Sequence, residues 1–117
     1  MRFLLLAALA VALAACDPAP LTMDEHPCPP AETPATYETF GAAFFASYCD
    51  RCHSAGIGDR HGAPSSYVFD TLDDVHAHAA RIFVRAATTN TSMPPGPDDP
   101  PLDERDKLAD WLACGGP

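Results

Sequence analysis

The stretch that decides the fold of this 117-residue chain is Cys49-Asp50-Arg51-Cys52-His53, two cysteines separated by two residues and followed at once by a histidine. Two thiols at the ends of one short turn can add to the two vinyl groups of a haem. The histidine that follows can then turn its imidazole under the ring and bind the iron. Cys-x-x-Cys-His is the attachment pattern of a covalently held c-type haem, so the sequence predicts one haem c per chain.

An aromatic stripe at three- and four-residue steps precedes the motif and predicts a helix from Thr36 to about Tyr48, with Thr33 or Thr36 as its cap. Gly41 lies in the middle of this helix, where glycine costs up to about 1 kcal/mol relative to alanine. We therefore expect a packing reason for it. The stripe consists of Tyr37, Phe40, Gly41, Phe44, Phe45 and Tyr48.

Two more helices are predicted after the motif. Asp70 is the expected cap of one that runs to about Thr88, and Asp103 is the expected cap of another that ends near Ala113. Each has an apolar stripe at helical spacing. The fold class is therefore all-α, with about three main helices around one haem. The stripes consist of Leu72, Val75, Ala79, Ile82, Phe83 and Ala86, and of Leu108, Trp111 and Leu112.

These patterns resemble the small monohaem cytochromes c of the class I type. The spacing Gly-x-x-x-Phe-x-x-x-Cys, which begins at Gly41, matches the first helix of that family, and Leu108 and Trp111 match its last helix. The resemblance covers roughly residues 36–115. It implies that the two helices cross at Gly41 and that residues 36–117 form a cytochrome c domain.

The resemblance also implies that Met93 is the second axial ligand of the iron, opposite His53. Pro94 and Pro95 follow this methionine. A loop stiffened by prolines loses less entropy when it holds a flexible thioether on the iron.

Three further residues are expected around the haem. In the family, a proline carbonyl accepts the N–H of the proximal imidazole, and Pro64 is the candidate for the partner of His53. Arg81 and Arg85 lie one helical turn apart and are candidates for hydrogen bonds to the haem propionates. Pairing of these two arginines with nearby acids remains the alternative.

The N-terminus combines one positive charge with an unbroken apolar run, which indicates a secretory signal. The run ends in Leu13-Ala14-Ala15-Cys16 and resembles the bacterial lipobox. The sequence thus predicts a lipoprotein signal peptide over residues 1–15 and an acylated Cys16 on the periplasmic side of a bacterial membrane. An ordinary signal followed by a chance cysteine is the alternative.

Residues 16–35 are predicted to form the acylated cysteine and a proline-rich tether. Six prolines stand among residues 17–35, and such a segment favours extended polyproline II at about 3.1 Å per residue, or roughly 60 Å in all. Met23 and His26 lie in this segment before the first helix, so neither is expected to bind the haem iron.

Two cysteines flank the predicted domain, Cys28 before the first helix and Cys114 after the last. In the family that the chain resembles, these two helices pack against each other, which would bring the flanks together. We expect a disulfide, which would contribute about 4 kcal/mol in the chain-entropy model. Two unpaired thiols are the alternative.

Charge restricts the partners. The chain carries 7 basic and 16 acidic side chains, for a net charge of −9. A chain that begins at Cys16 loses Arg2 and has six basic against sixteen acidic side chains, or −10. Such a surface argues against nucleic acid and is compatible with steering toward a basic protein.

The leading functional prediction is a monomeric electron carrier between a redox donor and a redox acceptor protein, rather than a substrate-converting enzyme. A haem ligated by both His53 and Met93 offers no open iron position, and such ligation raises the reduction potential. A protein that binds or senses NO or CO after dissociation of Met93 is the alternative. A zinc site at Cys49 and Cys52 lacks a second ligand pair, and a peroxidase lacks a clear distal base.

Overall fold

Helices make up all the regular structure in the residues that the computed structural model describes, 18–32 and 34–117, and no strand occurs there. The predicted all-α fold is confirmed. The signal peptide, Cys16 and the candidate cap Thr33 lie outside the described residues. The elements are a 3-10 turn Met23–Glu25, a π-helical turn Tyr37–Gly41, α1 Ala42–Tyr48, α2 Asp50–His53, α3 Leu72–Ala86 and α4 Leu102–Ala113.

The N-terminal helical segment begins at a side-chain cap. Thr36 accepts a hydrogen bond from the backbone N–H of Thr39 at 3.2 Å, in the geometry of a capping box. The π-helical turn then leads directly into α1. The segment ends at Tyr48, and α2 follows after Cys49, so the haem-attachment motif stands at the C-terminal end of a continuous helical run.

Gly41 lies where this segment meets α4. A Cβ atom at this position would lie 3.0 Å from Cζ2 of Trp111 and 2.8 Å from Cδ2 of Tyr37. Real Cβ atoms essentially never come as close as 2.8 Å, and 3.0 Å is tighter than most real Cβ contacts, so the Tyr37 ring would have to move and the Trp111 ring would have to give way slightly. The expected packing reason for Gly41 is confirmed: it lets the Trp111 ring approach the helix backbone.

The start of α3 corrects one prediction. Asp70 does not cap this helix. Thr71 does, because its hydroxyl accepts the N–H of Asp74 at 3.2 Å while the Asp74 carboxylate accepts the N–H of Thr71 at 3.0 Å. Thr71 therefore forms a complete capping box, which Asp70 cannot do one residue earlier. Asp70 instead accepts the N–H of Ala55 at 2.8 Å and holds the loop after the motif.

The start of α4 also differs from its prediction. The helix begins at Leu102, and Pro101 occupies the cap position without a side-chain hydrogen bond. Asp103 lies inside the first turn, where its negative charge is favourable near the positive end of the helix dipole. Proline suits this boundary because it has no backbone N–H to leave unpaired.

Residues Leu21–Cys28, which we call the strap, lie against α3 and α4. The backbone N–H of Leu21 donates to the Asn90 side-chain oxygen at 3.0 Å, and the Asn90 amide donates back to the Leu21 carbonyl at 2.8 Å. The ring of His26 lies 2.8 Å from the carboxylate of Asp110. This part of the predicted tether is therefore folded onto the domain, in contrast to the extended segment expected from its proline content.

A disulfide joins the strap to the end of α4. Cys28 and Cys114 are bonded in the structure, with their Cα atoms 4.7 Å apart, within the range that disulfide geometry requires. The bond closes a loop with a sequence separation of 86 residues. The chain on both sides of the domain is thus linked covalently.

The core lies between α1, α3 and α4, each of which buries one face. No helix in the described ranges is long and apolar enough to cross a membrane. The buried apolar side chains of these helices meet in the interior of the domain. The candidate haem site described below lies at one end of this core. Its largest members are Phe44, Phe45, Phe69, Val75, Ile82, Phe83, Leu108, Trp111 and Leu112.

Candidate haem site

A cleft of about 310 Å³ opens between the attachment motif and the end of α3. The loop after α2 and the loop that contains Met93, residues 87–101, complete its walls. The folding of the chain brings residues that are up to 47 positions apart in sequence, Tyr48 and Pro95, to its walls. Every cleft residue predicted from sequence contributes to its lining. These residues are Cys49, Cys52, His53, Pro64, Arg81, Arg85 and Met93.

The imidazole of His53 is fixed in orientation. Its Nδ1 atom lies 2.9 Å from the carbonyl oxygen of Tyr67, and because a carbonyl only accepts, Nδ1 carries the proton. The ring stacks on Phe69 with centroids 4.6 Å apart and planes inclined by 24°. The other ring nitrogen, Nε2, is therefore the one with a lone pair for a metal ion.

The acceptor of this hydrogen bond, the Tyr67 carbonyl, differs from the predicted one. Pro64 was predicted to accept the N–H of His53, and this prediction is wrong. The Pro64 carbonyl accepts the backbone N–H of Tyr67 at 3.0 Å and Nη2 of Arg60 at 3.0 Å. Because of this turn, the carbonyl that faces the imidazole belongs to Tyr67, three residues after Pro64. No sequence signal distinguishes the two candidates, since every residue has a carbonyl.

The two motif cysteines are free thiols, each half-buried. The Cys49 thiol is more enclosed than the residue as a whole, and its burial, reinforced by the negative charge of Asp50, raises its pKa to about 12. Burial also raises the pKa of Asp50, and Asp70 adds to this effect while His53 opposes it. The Cys49 sulfur is therefore neutral, and it stays neutral when a thioether forms.

Met93 is held by its backbone on both sides. Its N–H donates to the Arg85 carbonyl at 2.8 Å, and its own carbonyl accepts Nη1 of Arg105 at 2.8 Å. The side chain lines the cleft and is 38% exposed. The loop thus fixes the position of the Met93 backbone while the thioether remains at the cleft surface.

Arg105 is a functional residue that the sequence analysis missed. Its side chain is only 2% exposed, and its nearest acid is Asp99 at 3.6 Å. A buried cation is costly unless it is hydrogen-bonded. Arg105 lies three residues before Leu108 and therefore on the apolar face of α4. This spacing is the sequence signal that could have indicated its burial. Its guanidinium donates to the carbonyls of Ala86, Asn90, Met93 and Pro100.

The rim of the cleft is basic although the chain as a whole is acidic. Four arginines and no Asp or Glu line the cleft: Arg51, Arg60, Arg81 and Arg85. Among the described residues, the ion pairs include neither Arg81 nor Arg85. Arg81 and Arg85 therefore offer guanidinium groups to anionic ligands, as propionates require.

The residues present fit a haem. The cleft brings together two thiols, a histidine with a free Nε2, a methionine, apolar walls that include Phe69 and Ile82, and a basic rim. The zinc alternative needs a different cluster. In the part of the chain that the structure describes, no three His, Cys, Asp or Glu side chains converge in a way that would hold a metal ion.

A comparison with protein families gives one match. The family model described as "Cytochrome C oxidase, cbb3-type, subunit III" matches residues 38–112, about two thirds of the chain. Comparisons with curated proteins and with solved structures gave no match. The matched range contains the haem-attachment motif, Met93 and nearly all of α4. The chain therefore belongs to this family of c-type cytochrome domains, which bind haem c with its iron, and the predicted resemblance to monohaem c-type cytochromes is confirmed.

Proposed function

We propose that this protein carries single electrons between two redox proteins through a haem with His53 and Met93 as axial ligands, while an acylated Cys16 anchors it on the periplasmic side of a bacterial membrane. The observation that carries the proposal is the convergence of His53 and Met93 on the cleft that also contains both thiols of the motif. The anchor is supported by the sequence pattern before Cys16.

The bound haem supplies a one-electron iron couple. The donor protein loses one electron and the acceptor protein gains it, so the carrier returns to its first state after each cycle. Tyr67 and Phe69 hold the His53 ring in one orientation, and Arg85 and Arg105 hold the Met93 backbone. Two protein ligands leave no iron position for a substrate, which favours electron transfer over catalysis.

The partners follow from charge and from the family description. The acidic surface suits a partner that presents basic groups outside the contact with the cleft rim. The matching family is described as an oxidase subunit, so a membrane-bound terminal oxidase is the first partner to test. The carrier itself acts as a monomer in this proposal.

An optical spectrum of the haem-matured protein tests the ligation. We expect sharp low-spin c-type bands after reduction and, in the oxidised form, a weak near-infrared band from sulfur coordination. Met93→Ala removes the near-infrared band, because the thioether is lost. Met23→Ala is the matched control, since Met23 lies in the strap, and it leaves the band unchanged.

Other spectra would contradict the proposal. A high-spin haem in the parent protein, or ready binding of CO, would show that Met93 does not stay on the iron and would favour the ligand-binding alternative. A near-infrared band that survives in Met93→Ala would assign the sixth ligand to another residue. Absence of covalent haem after competent maturation would remove the basis of the whole assignment.

A further inference from the structure

Two donors share one carbonyl oxygen beside the candidate axial histidine. Nδ1 of His53 lies 2.9 Å from the Tyr67 oxygen, and Nη2 of Arg60 donates to the same oxygen at 2.8 Å. A carbonyl has two lone pairs and accepts both. The two hydrogen bonds are therefore coupled through a single atom, and a change in one alters the other.

Arg60 is held in place for this contact by its own loop. Its Nη1 donates to the Ser54 carbonyl at 2.7 Å, and its Nε donates to the Ala63 carbonyl at 3.3 Å. Its Nη2 donates to the Pro64 carbonyl at 3.0 Å in addition to Tyr67. Arginine stays charged at all ordinary pH values and its planar fork loses little freedom on binding. A permanent cation thus lies at a defined distance from the Tyr67 oxygen.

A cation that donates to a carbonyl oxygen draws electron density toward itself, which makes that oxygen a weaker acceptor for a second donor. The hydrogen bond from His53 to Tyr67 is consequently weaker than it would be without Arg60. The strength of this outer bond sets how electron-rich a metal-bound imidazole becomes. An imidazole that is less electron-rich stabilises ferric iron less, so the reduction potential rises.

We propose that Arg60 is a positioning residue that raises the reduction potential of the haem by weakening the hydrogen bond from His53 to the Tyr67 carbonyl. The inference rests on the proposed function, because it takes His53 as an axial ligand. Charge alone also raises the potential, since any nearby cation disfavours the ferric state. The experiment must separate the two effects.

Three variants of the haem-loaded protein make this separation. Arg60→Lys keeps the charge but replaces the fork that spans four carbonyls with a single flexible ammonium. Arg60→Gln removes both the charge and the fork. Arg81→Gln removes a charge at the same cleft rim, from an exposed side chain that makes no hydrogen bond to Tyr67 in the described residues. Each variant is measured for reduction potential and for the proton NMR signal of the His53 Nδ1–H in the reduced state.

The proposal expects both Arg60 variants to have a lower potential, with more than half of the Arg60→Gln shift already present in Arg60→Lys. It also expects the His53 Nδ1–H signal to move to lower field in both, because the bond to Tyr67 becomes stronger. Arg81→Gln leaves that signal in place whatever it does to the potential. A low-spin spectrum that keeps the near-infrared sulfur band in all variants shows that His53 and Met93 still bind.

Three results would overturn the proposal. One is a parent-like potential in Arg60→Lys, which would leave only a charge effect. Another is an unmoved His53 Nδ1–H signal, which would show that the two hydrogen bonds are not coupled. The third is loss of the low-spin spectrum in both Arg60 variants while the parent retains it, which would make Arg60 a purely structural residue of the loop. If the parent itself lacks that spectrum, the proposed function fails instead.

Discussion

Two loops enclose the candidate haem site, and each is organised around one arginine. On the His53 side, residues 54–69 surround Arg60, and on the Met93 side, residues 87–101 pack against Arg105. In both cases the guanidinium donates to backbone carbonyls that have no strand or helix to pair with. Loops with so little regular structure need such donors to satisfy their buried carbonyls.

The two arginines differ in where they are anchored. Arg60 belongs to the loop that it holds and is half-buried, whereas Arg105 belongs to α4 and is 2% exposed. The Met93 side is also joined to the strap through Asn90. The proposed ligation gives this difference a physical reason. His53 directly follows the attachment motif and would need only orientation, whereas a weak thioether ligand distant in sequence would need its backbone fixed to the core.

Removing the arginine of the Met93 side should have the largest effect. Arg105→Gln leaves buried carbonyls without a donor, and we expect the free energy of unfolding to fall by about 3–5 kcal/mol. We also expect loss of the near-infrared sulfur band, because the Met93 carbonyl loses its partner. Urea denaturation and the oxidised spectrum measure the two effects. Lys107→Gln, an exposed position on the same helix, is the control and changes neither.

A result in which Arg105→Gln loses stability but keeps the sulfur band would contradict this account of the Met93 side. It would show that the iron–sulfur bond itself, rather than the arginine, positions the loop.

Cutting the disulfide should have the next largest effect. The double variant Cys28→Ser/Cys114→Ser releases the strap, and we expect a loss of about 2–4 kcal/mol of unfolding free energy, the range typical of disulfides. Since the strap contacts Asn90, hydrogen exchange should accelerate on the Met93 side. Amides on the His53 side, such as that of Phe69, serve as the internal control and should change only with global stability. Equal acceleration on both sides would mean that the strap does not support the Met93 loop selectively.

The smallest effect should come from the His53 side. Hydrogen bonds from the Ser54 hydroxyl and the Ala55 amide lower the pKa of Asp70. A lowered folded-state pKa stabilises the fold above the unfolded pKa, about 3.9, and this contribution is lost as the pH falls through the folded value. Asp70→Asn should therefore reduce the slope of stability against pH in the acidic range. Denaturation midpoints at pH 7 and near pH 3 measure it, and an unchanged slope would refute it.

The sequence could predict what covalent chemistry and periodicity determine. The attachment motif is by itself enough to predict the haem. Gly41 is informative because a glycine within an aromatic stripe indicates a close contact at that position. The cap of α3 was missed by one residue, since Asp70 and Thr71 are both good capping residues and only the pairing with Asp74 separates them. Short-range patterns resolve elements better than their ends.

The rest depends on contacts between distant residues. A backbone carbonyl has no signature in sequence, so Tyr67 was indistinguishable from Pro64 as the partner of His53. Arg105 has a periodic position on an apolar face, but its charge argued for solvent until the loop carbonyls around it were known. The strap was predicted as extended because proline content describes local preference, whereas its contact with Asn90 is a tertiary interaction.

The docked strap also determines how far the domain can move once it is anchored. With Cys16 acylated as proposed, the five residues from Cys16 to Leu21 allow a reach of at most about 17 Å at 3.3–3.6 Å per residue, whereas the twenty residues from Cys16 to Thr36 would allow roughly 70 Å at the same spacing. The volume that the attachment point can explore scales with the cube of this reach, so it falls about sixtyfold, and the local concentration at a neighbouring membrane complex rises correspondingly. Such a carrier would serve partners whose redox centres lie near the bilayer surface, and it would exchange electrons with them at rates set by lateral diffusion in the membrane rather than by diffusion through the periplasm.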